Sequence, residues 1–272
     1  MRFLFLGAGA TGGYYGGHLR KAGRDVTFLV RAHRKDSLNA HGLTIESPLG
    51  TFTTPVTAIT TGGITRPFDV IVLSCKAYDL APAIAAIQPA AGPQTLILPL
   101  LNGLRHLDQL DATFGPECVL GGTCHISVTL TDSGIVRHMS PFDALTLGPR
   151  RPSQHDSARA LHTAMSGAGF EARFSDDANG AMWDKWFLLA TLAGMTCLMR
   201  ASIGEIVAIR GGTLRISAMI DECCAIAAAN GHTPRQAIVS QARATLTDPA
   251  SSMTSHKMRS RQIGARIEAD HI

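Results

Sequence analysis

The 272-residue sequence predicts an α/β protein built in two parts, and three observations point to it. Short apolar runs alternate with helix-length segments through the first half, the pattern of parallel βαβ units with helices on both faces of a sheet. A glycine-rich turn separates the first apolar run from the first helix. Beyond Phe174 almost everything has helical periodicity. The expected division is therefore an α/β domain over 1–175 and an all-helical domain over 176–272.

Taken in order, Arg2 to Leu6 reads as a buried strand, followed by a helix from about Thr11 to Ala22 that Gly23 closes. Val26 to Val30 and Asp69 to Ser74 are further strands, with Thr95 to Leu101 and Cys118 to Gly121 as additional candidates. The stretch from His125 to Gly148 alternates differently and reads as antiparallel strands at the far edge of the same sheet. Ser175, Asp176 and Asp177 form an N-cap run. After it the helices expected are Ala178 to Met199, Gly212 to Asn230, Pro234 to Thr245 and Ser255 to Ala269.

Composition removes whole classes of function. Apolar residues make up 45% of the chain, enough for a sizeable core, and charged residues only 17%. A net charge of +4 with 6% aromatics is too mild to argue for a nucleic acid partner. The local cluster Lys257, Arg259, Arg261 and Arg266 reads as a solvated helix face. The uncharged run from Trp186 to Met199 is fourteen residues, a length for a buried helix and not for a membrane span. Six cysteines without framework spacing suit thiols in a reducing cytoplasm. Eleven scattered histidines offer no metal-ligand spacing.

Gly7-Ala8-Gly9-Ala10-Thr11-Gly12 matches Gly-x-Gly-x-x-Gly, and it follows a strand and opens a helix, the context of a Rossmann-type dinucleotide site. The first glycine permits the tight turn, the second lets a pyrophosphate approach, and the third lets helix and strand pack closely. Amides at the helix start then face the phosphates. Gly13, Gly16 and Gly17 follow inside the helix, where each costs about 1 kcal/mol relative to alanine, a sacrifice that suits a very near neighbour. At the end of the second strand an NAD site carries an acidic residue, whereas this chain has Arg31, then His33, Arg34 and Lys35. A guanidinium grips a 2′-phosphate with two hydrogen bonds, so NADP(H) is the expected cofactor. Lys76, after the third strand, supplies a second cation toward that ligand.

With these residues in view the chain resembles the ketopantoate reductases (2-dehydropantoate 2-reductases). The resemblance is carried by GAGATGG at 7–13, LVRAHR at 29–34, CKAYD at 75–79, LLNGL at 100–104, WDKW at 183–186, GE at 204–205 and RIEADHI at 266–272. It implies an NADP-binding Rossmann domain joined to a helical domain, with substrate between them. It also implies Lys185 as the catalytic lysine, Glu268 as its acidic partner, Asn102 beside the nicotinamide and substrate, and Ser127 offering its backbone to the cofactor. The chemistry is sound: a lysine ammonium, charged at neutral pH, can stabilise or protonate the oxygen of a 2-oxo acid as hydride reaches the carbonyl carbon. Lys185 is the sole charge between Trp183, Asp184 and the apolar run that follows.

The departures concern the substrate. The family places asparagines four and eight residues after the lysine, where this chain has Leu189 and Ala193, and a third before Gly-Glu, where it has Ile203. Counting back from Glu268 without a gap sets Ser255 and His256 on the family's two serines, although a literal Ser-Ser-Met stands at 251–253. In that register His256 occupies a substrate position. A site that loses buried hydrogen-bonding groups does not bind the same polar substrate equally well. The sequence therefore reads as a cytoplasmic NADPH-dependent reductase of a small 2-oxo acid, nominally of 2-dehydropantoate to pantoate in pantothenate biosynthesis. Alternatives are a reductase of a more apolar 2-oxo acid and an NADP-binding sensor without turnover. The apolar helical part suits a homodimer interface as well as a monomer core.

Overall fold

A computed structural model describes residues 1–255, 257–258, 264 and 266–268. The chain forms two compact units, one from Met1–Leu101 and Arg105–Ala178, the other from Asn102–Leu104 and the chain from Asn179 onward.

The first unit opens with β1 (Arg2–Leu6), α1 (Ala10–Lys21), β2 (Asp25–Leu29) and α2 (Ala32–His41). Three short strands follow, β3 (Leu43–Glu46), β4 (Phe52–Thr54) and β5 (Thr57–Ile59). Then come β6 (Val70–Leu73), α3 (Leu80–Ile87), β7 (Leu96–Pro99) and α4 (His106–Phe114). The unit ends with β8 (Gly121–Leu130), β9 (Val136–Gly148), α5 (His155–Met165) and β10 (Ala172–Phe174). Strands β5, β2, β1, β6 and β7 form one sheet in that order, with every pair parallel. All four residues of β6 are buried, as a strand covered on both faces requires. Chain direction across the sheet reverses between β1 and β6, and the carboxyl ends of strands at such a point are where open α/β sheets bind ligands.

The antiparallel pair expected over 125–148 is present as β8 and β9, but it does not extend the parallel sheet. It belongs to a second sheet ordered β10-β9-β3-β4, with β8 paired to β9. The reason is that β3 and β10 together take the flank of β9 that β8 leaves open, while the segment expected as a strand at 118–121 reaches β7 through a single bridge, Ile97 to Val119. Helix α1 lies against both sheets. A Cβ on Gly16 would stand 2.7 Å from the Phe28 ring, and one on Gly17 2.7 Å from Ile45. The near neighbours of these internal glycines are thus side chains of β2 and β3.

The second unit is helical, with α6 (Ala178–Met199), α7 (Ile203–Ala208), α8 (Gly212–Ala229) and α9 (Gln236–Leu246). Phe187, Met195, Ile203, Ile206, Ile216, Ile220, Cys223, Ala242 and Leu246 form its buried centre. Helix α7 starts with a capping box, Ser202 and Glu205 exchanging side-chain and backbone bonds. Its next amides are met by the strap that follows α9: Ile203 N–H donates to Met253 at 3.0 Å and Gly204 N–H to Ser251 at 2.8 Å. Gly204 has no room for a Cβ, since Pro249 O would stand 2.6 Å away. That accounts for both residues of the Gly-Glu pair. The helix expected over 255–269 is not continuous: 257 and 258 are helical, Gly264 is left-handed at φ +69°, and 266–268 have no regular structure. His256, Arg259 and Arg261 lie outside the described residues.

Candidate active site

The glycine loop stands at the point where the sheet reverses. Gly7, directly after β1, has φ +87° and donates to Leu29 O at 2.8 Å, which locks the turn against β2. Ala8 is buried beneath the turn. Gly9 is the N-cap of α1 and has no side chain to cap it, so Ala10, Thr11 and Gly12 open the helix with amides that no cap side chain satisfies. No atom lies within 4 Å of where a Gly9 Cβ would be, whereas one on Gly12 would meet Ser74 Oγ and Gly7 O. Open space over uncapped amides, with a close-packed floor below, is the arrangement a pyrophosphate needs. Ser74, the first residue after β6, is a floor residue that motif reading did not single out.

Of the four basic residues at the end of β2, two are already engaged. The Arg34 Nη2 donates to Gly134 O at 2.7 Å, and burial lowers its pKa from the usual guanidinium value. Lys35 pairs with Asp36 at 3.6 Å. Arg31 is exposed at the N-cap of α2, and its carbonyl accepts from Arg34 and Lys35 amides at 3.0 and 3.2 Å. Lys76 is exposed two residues past Ser74, at the start of a short 3₁₀ turn. The structure therefore gathers Gly7 to Gly12, Arg31 and Lys76 at the carboxyl ends of β1, β2 and β6. Ser127 sits where the β8–β9 register slips between Ile126 and Val128, and its N–H donates to Ser140 Oγ at 3.3 Å. Its amide is thus already engaged within the strand pair.

In the second unit Lys185, Leu189 and Ala193 share one face of α6 at four-residue steps. Lys185 and Leu189 are half-buried and Ala193 is buried. Ile203 is fully buried in the helical centre. Continuing the Lys185 face leads to Thr196, fully buried, whose hydroxyl donates to Leu192 O at 2.7 Å and lies 2.9 Å from Ser255 Oγ. Ser255 is in turn the cap of the next turn, accepting from Met258 N at 3.1 Å. Glu268 is 8% exposed, so its carboxylate is a buried one. Asn102 is half-buried and belongs with the helical unit although it follows β7 by three residues. Thr196 was missed because its neighbours on the face are apolar, and only its place on the Lys185 stripe could have signalled it.

The family models "Ketopantoate reductase PanE/ApbA" and "Ketopantoate reductase PanE/ApbA C terminal" match residues 3–152 and 177–272. The chain is 35% identical over 272 residues to "Uncharacterized oxidoreductase YkpB" of Bacillus subtilis (strain 168), covering 100% of this chain and 89% of that one. It is 26% identical over 247 residues to the 2-dehydropantoate 2-reductase of Mesorhizobium japonicum, covering 83% and 76% of the two. Among solved structures, 2-dehydropantoate 2-reductase from Geobacter metallireducens GS-15 superposes with a TM-score of 0.89 at 25% identity, over 100% of this chain and 90% of that one. D-mandelate dehydrogenase with NADH and anilino(oxo)acetate shares the fold, with a TM-score of 0.86 at 20% identity, over 100% and 89% of the chains. With the glycine loop at the sheet's reversal in one unit and the lysine-bearing helix in the other, these matches place the chain in the ketopantoate reductase family of oxidoreductases.

Proposed function

We propose that the chain is an NADPH-dependent 2-oxo acid reductase, nominally one that converts 2-dehydropantoate to pantoate in the cytoplasm. The observation that carries the cofactor half is the exposed Arg31 fork at the end of β2, with no acidic residue in the first turn of α2. Gly7 to Gly12 hold the pyrophosphate on the amides of α1, Lys76 adds a cation, and Asn102 and the Ser127 backbone orient the remainder. When bound, the reduced nicotinamide supplies hydride to the substrate's carbonyl carbon. The Lys185 ammonium stabilises the charge that grows on the carbonyl oxygen and delivers a proton to it. Glu268 orients that ammonium.

A second reading, a more apolar 2-oxo acid, is favoured by Leu189 and Ala193 on the lysine face, which give a substrate hydroxyl no side-chain partner there. The experiment is the loss of reduced-nicotinamide absorbance with 2-dehydropantoate and with branched or aromatic 2-oxo acids, NADPH and NADH run side by side. Turnover of 2-dehydropantoate with NADPH preference supports the first reading. Turnover of apolar acids alone supports the second, and Leu189→Asn should then move the preference back. Tight NADPH binding without turnover on any acid would leave a sensor and sink both.

A further inference from the structure

Helix α6 carries an unusual turn. Trp183, Asp184, Lys185 and Trp186 are consecutive, and the two residues before the lysine are each gripped from outside the helix. The Trp183 ring stacks on the His232 imidazole, with centroids 5.2 Å apart and planes 19° from parallel. Both Nε, at 3.1 Å, and Nη2 of Arg235 donate to Asp184 Oδ2. The Asp184 side chain is only 14% exposed while that of Arg235 is 72% exposed, so an outlying guanidinium reaches in to neutralise a sheltered carboxylate. Trp186 completes the group edge-on to Trp183, at 5.1 Å and 69°.

The gripping residues stand on rigid ground. Helix α8 ends in a Schellman motif: Gly231, at φ +82°, donates to Ala228 O and His232 to Ala227 O, both at 2.9 Å. His232 is thus fixed by the end of α8. Arg235 is the N-cap of α9, reached through Pro234, whose ring fixes its own φ. Helix α9 is anchored in turn by Ala242 and Leu246 against the centre that includes Phe187 of α6.

A largely apolar helix has several near-equivalent rotations about its axis, and a cation held from outside against a sheltered carboxylate selects one of them. We propose that His232 and Arg235 are positioning residues that clamp the turn of α6 carrying Lys185 and so set the direction of its ammonium. The clamp rests on Lys185 being the catalytic lysine. Misplacement of a catalytic group by about 1 Å can lower a rate about 100-fold, so the clamp acts on kcat and leaves the pyrophosphate and ribose contacts proposed for the first unit untouched.

The test uses the full chain with Arg235→Ala, Arg235→Lys, His232→Ala and Lys185→Ala. Trp183 and Trp186 are the chain's two tryptophans, so tryptophan emission reads this turn alone. Arg235→Ala and His232→Ala should each lower kcat about tenfold or more, shift the emission and hold the NADPH Kd within about twofold, with Arg235→Lys recovering most of the rate. A kcat within about twofold of the parent in both alanine variants overturns the clamp, whatever the emission does. Should Arg235→Ala fail to fold, Asp184→Asn with Arg235→Ala removes both charges together and is read by the same thresholds. If Lys185→Ala keeps full turnover, the catalytic reading of Lys185 fails, and the clamp with it. If Lys185→Ala is inactive while the clamp variants are fully active, only the clamp fails.

Discussion

The Tyr14 phenol donates a 2.8 Å hydrogen bond to the Asp143 carboxylate, 129 residues along the chain, and both groups are buried. The second carboxylate oxygen accepts from the Glu171 amide at 3.2 Å. Burial, then Asp143, raises the Tyr14 pKa well above its usual value, so the hydroxyl stays a donor. This bond ties the first turns of α1 to β9. Tyr14→Phe strips a buried oxygen of its partner and should cost about 1–3 kcal/mol, with about 2–4 °C of Tm for each kcal/mol. Thermal unfolding checks it, and an unchanged Tm would mean the bond contributes nothing.

Gly9 and Gly12 separate folding from cofactor binding. Space is open around a Gly9 Cβ, so Gly9→Ala should leave stability within about 0.5 kcal/mol of the parent yet weaken NADPH binding at least about tenfold. Gly12→Ala drives a methyl into Ser74 and Gly7 O and should lower both stability and affinity. Dye-monitored melting and NADPH fluorescence titration read the two quantities. Full NADPH affinity in Gly9→Ala would place the pyrophosphate elsewhere.

Arg31 and Arg34 are three residues apart and do different work. Arg31→Ala should erase most of the preference for NADPH over NADH, a change of about 1.5–3 kcal/mol in relative affinity, with stability unaltered. Arg34→Ala releases Gly134 O and loosens the β8–β9 turn, so it should lower Tm with the preference kept. Exchanged outcomes would assign the phosphate to Arg34.

His106 is 4% exposed, and burial, helped by the Arg150 charge, lowers its pKa from 6.5 to about 4. The unfolded chain therefore takes up a proton below pH 6.5 that the native chain refuses until about pH 4. Stability is complete above that window and falls as pH drops through it, by about 3 kcal/mol in order of magnitude. His18, lowered in the same direction by burial, adds to the loss. Denaturant melts from pH 7 to pH 4 should show a shallower slope for His106→Leu. A slope equal to the parent's would remove His106 from the account.

The strands and helices legible in the sequence were those with strong local signals: β1 after the N-terminus, the uninterrupted apolar β6, and α6, which runs from Ala178 to Met199 as its periodicity predicts. Of the second sheet only the β8–β9 pair was legible. Strands β3, β4 and β10 have three or four residues each, too few for a period to register, and β3 is held by a parallel pairing to β9 that is about ninety residues away. At the glycine loop, spacing between a strand and a helix marked Gly7 to Gly12, where Gly7 takes a left-handed φ and Gly12 has no room for a Cβ. Charge alone did not separate Arg31 from Arg34, since the carbonyl that engages Arg34 lies on the distant β8–β9 turn. His232 and Arg235 stayed silent for the same reason: their partners are across a helix pair.

Helix α1 has four glycines among its twelve residues, a composition that disfavours helix by about 4 kcal/mol relative to alanine. It is helical because Phe28 on one side and Ile45 and Val136 on the other press into the spaces those glycines leave. One of these walls, Val136, is made more than a hundred residues after the loop itself. During synthesis the glycine loop therefore leaves the ribosome well before one of the walls that its helix packs against. That wall is in place only when β9 has emerged and docked, so a nascent chain halted before residue 136 should hold a dinucleotide more weakly than the finished unit.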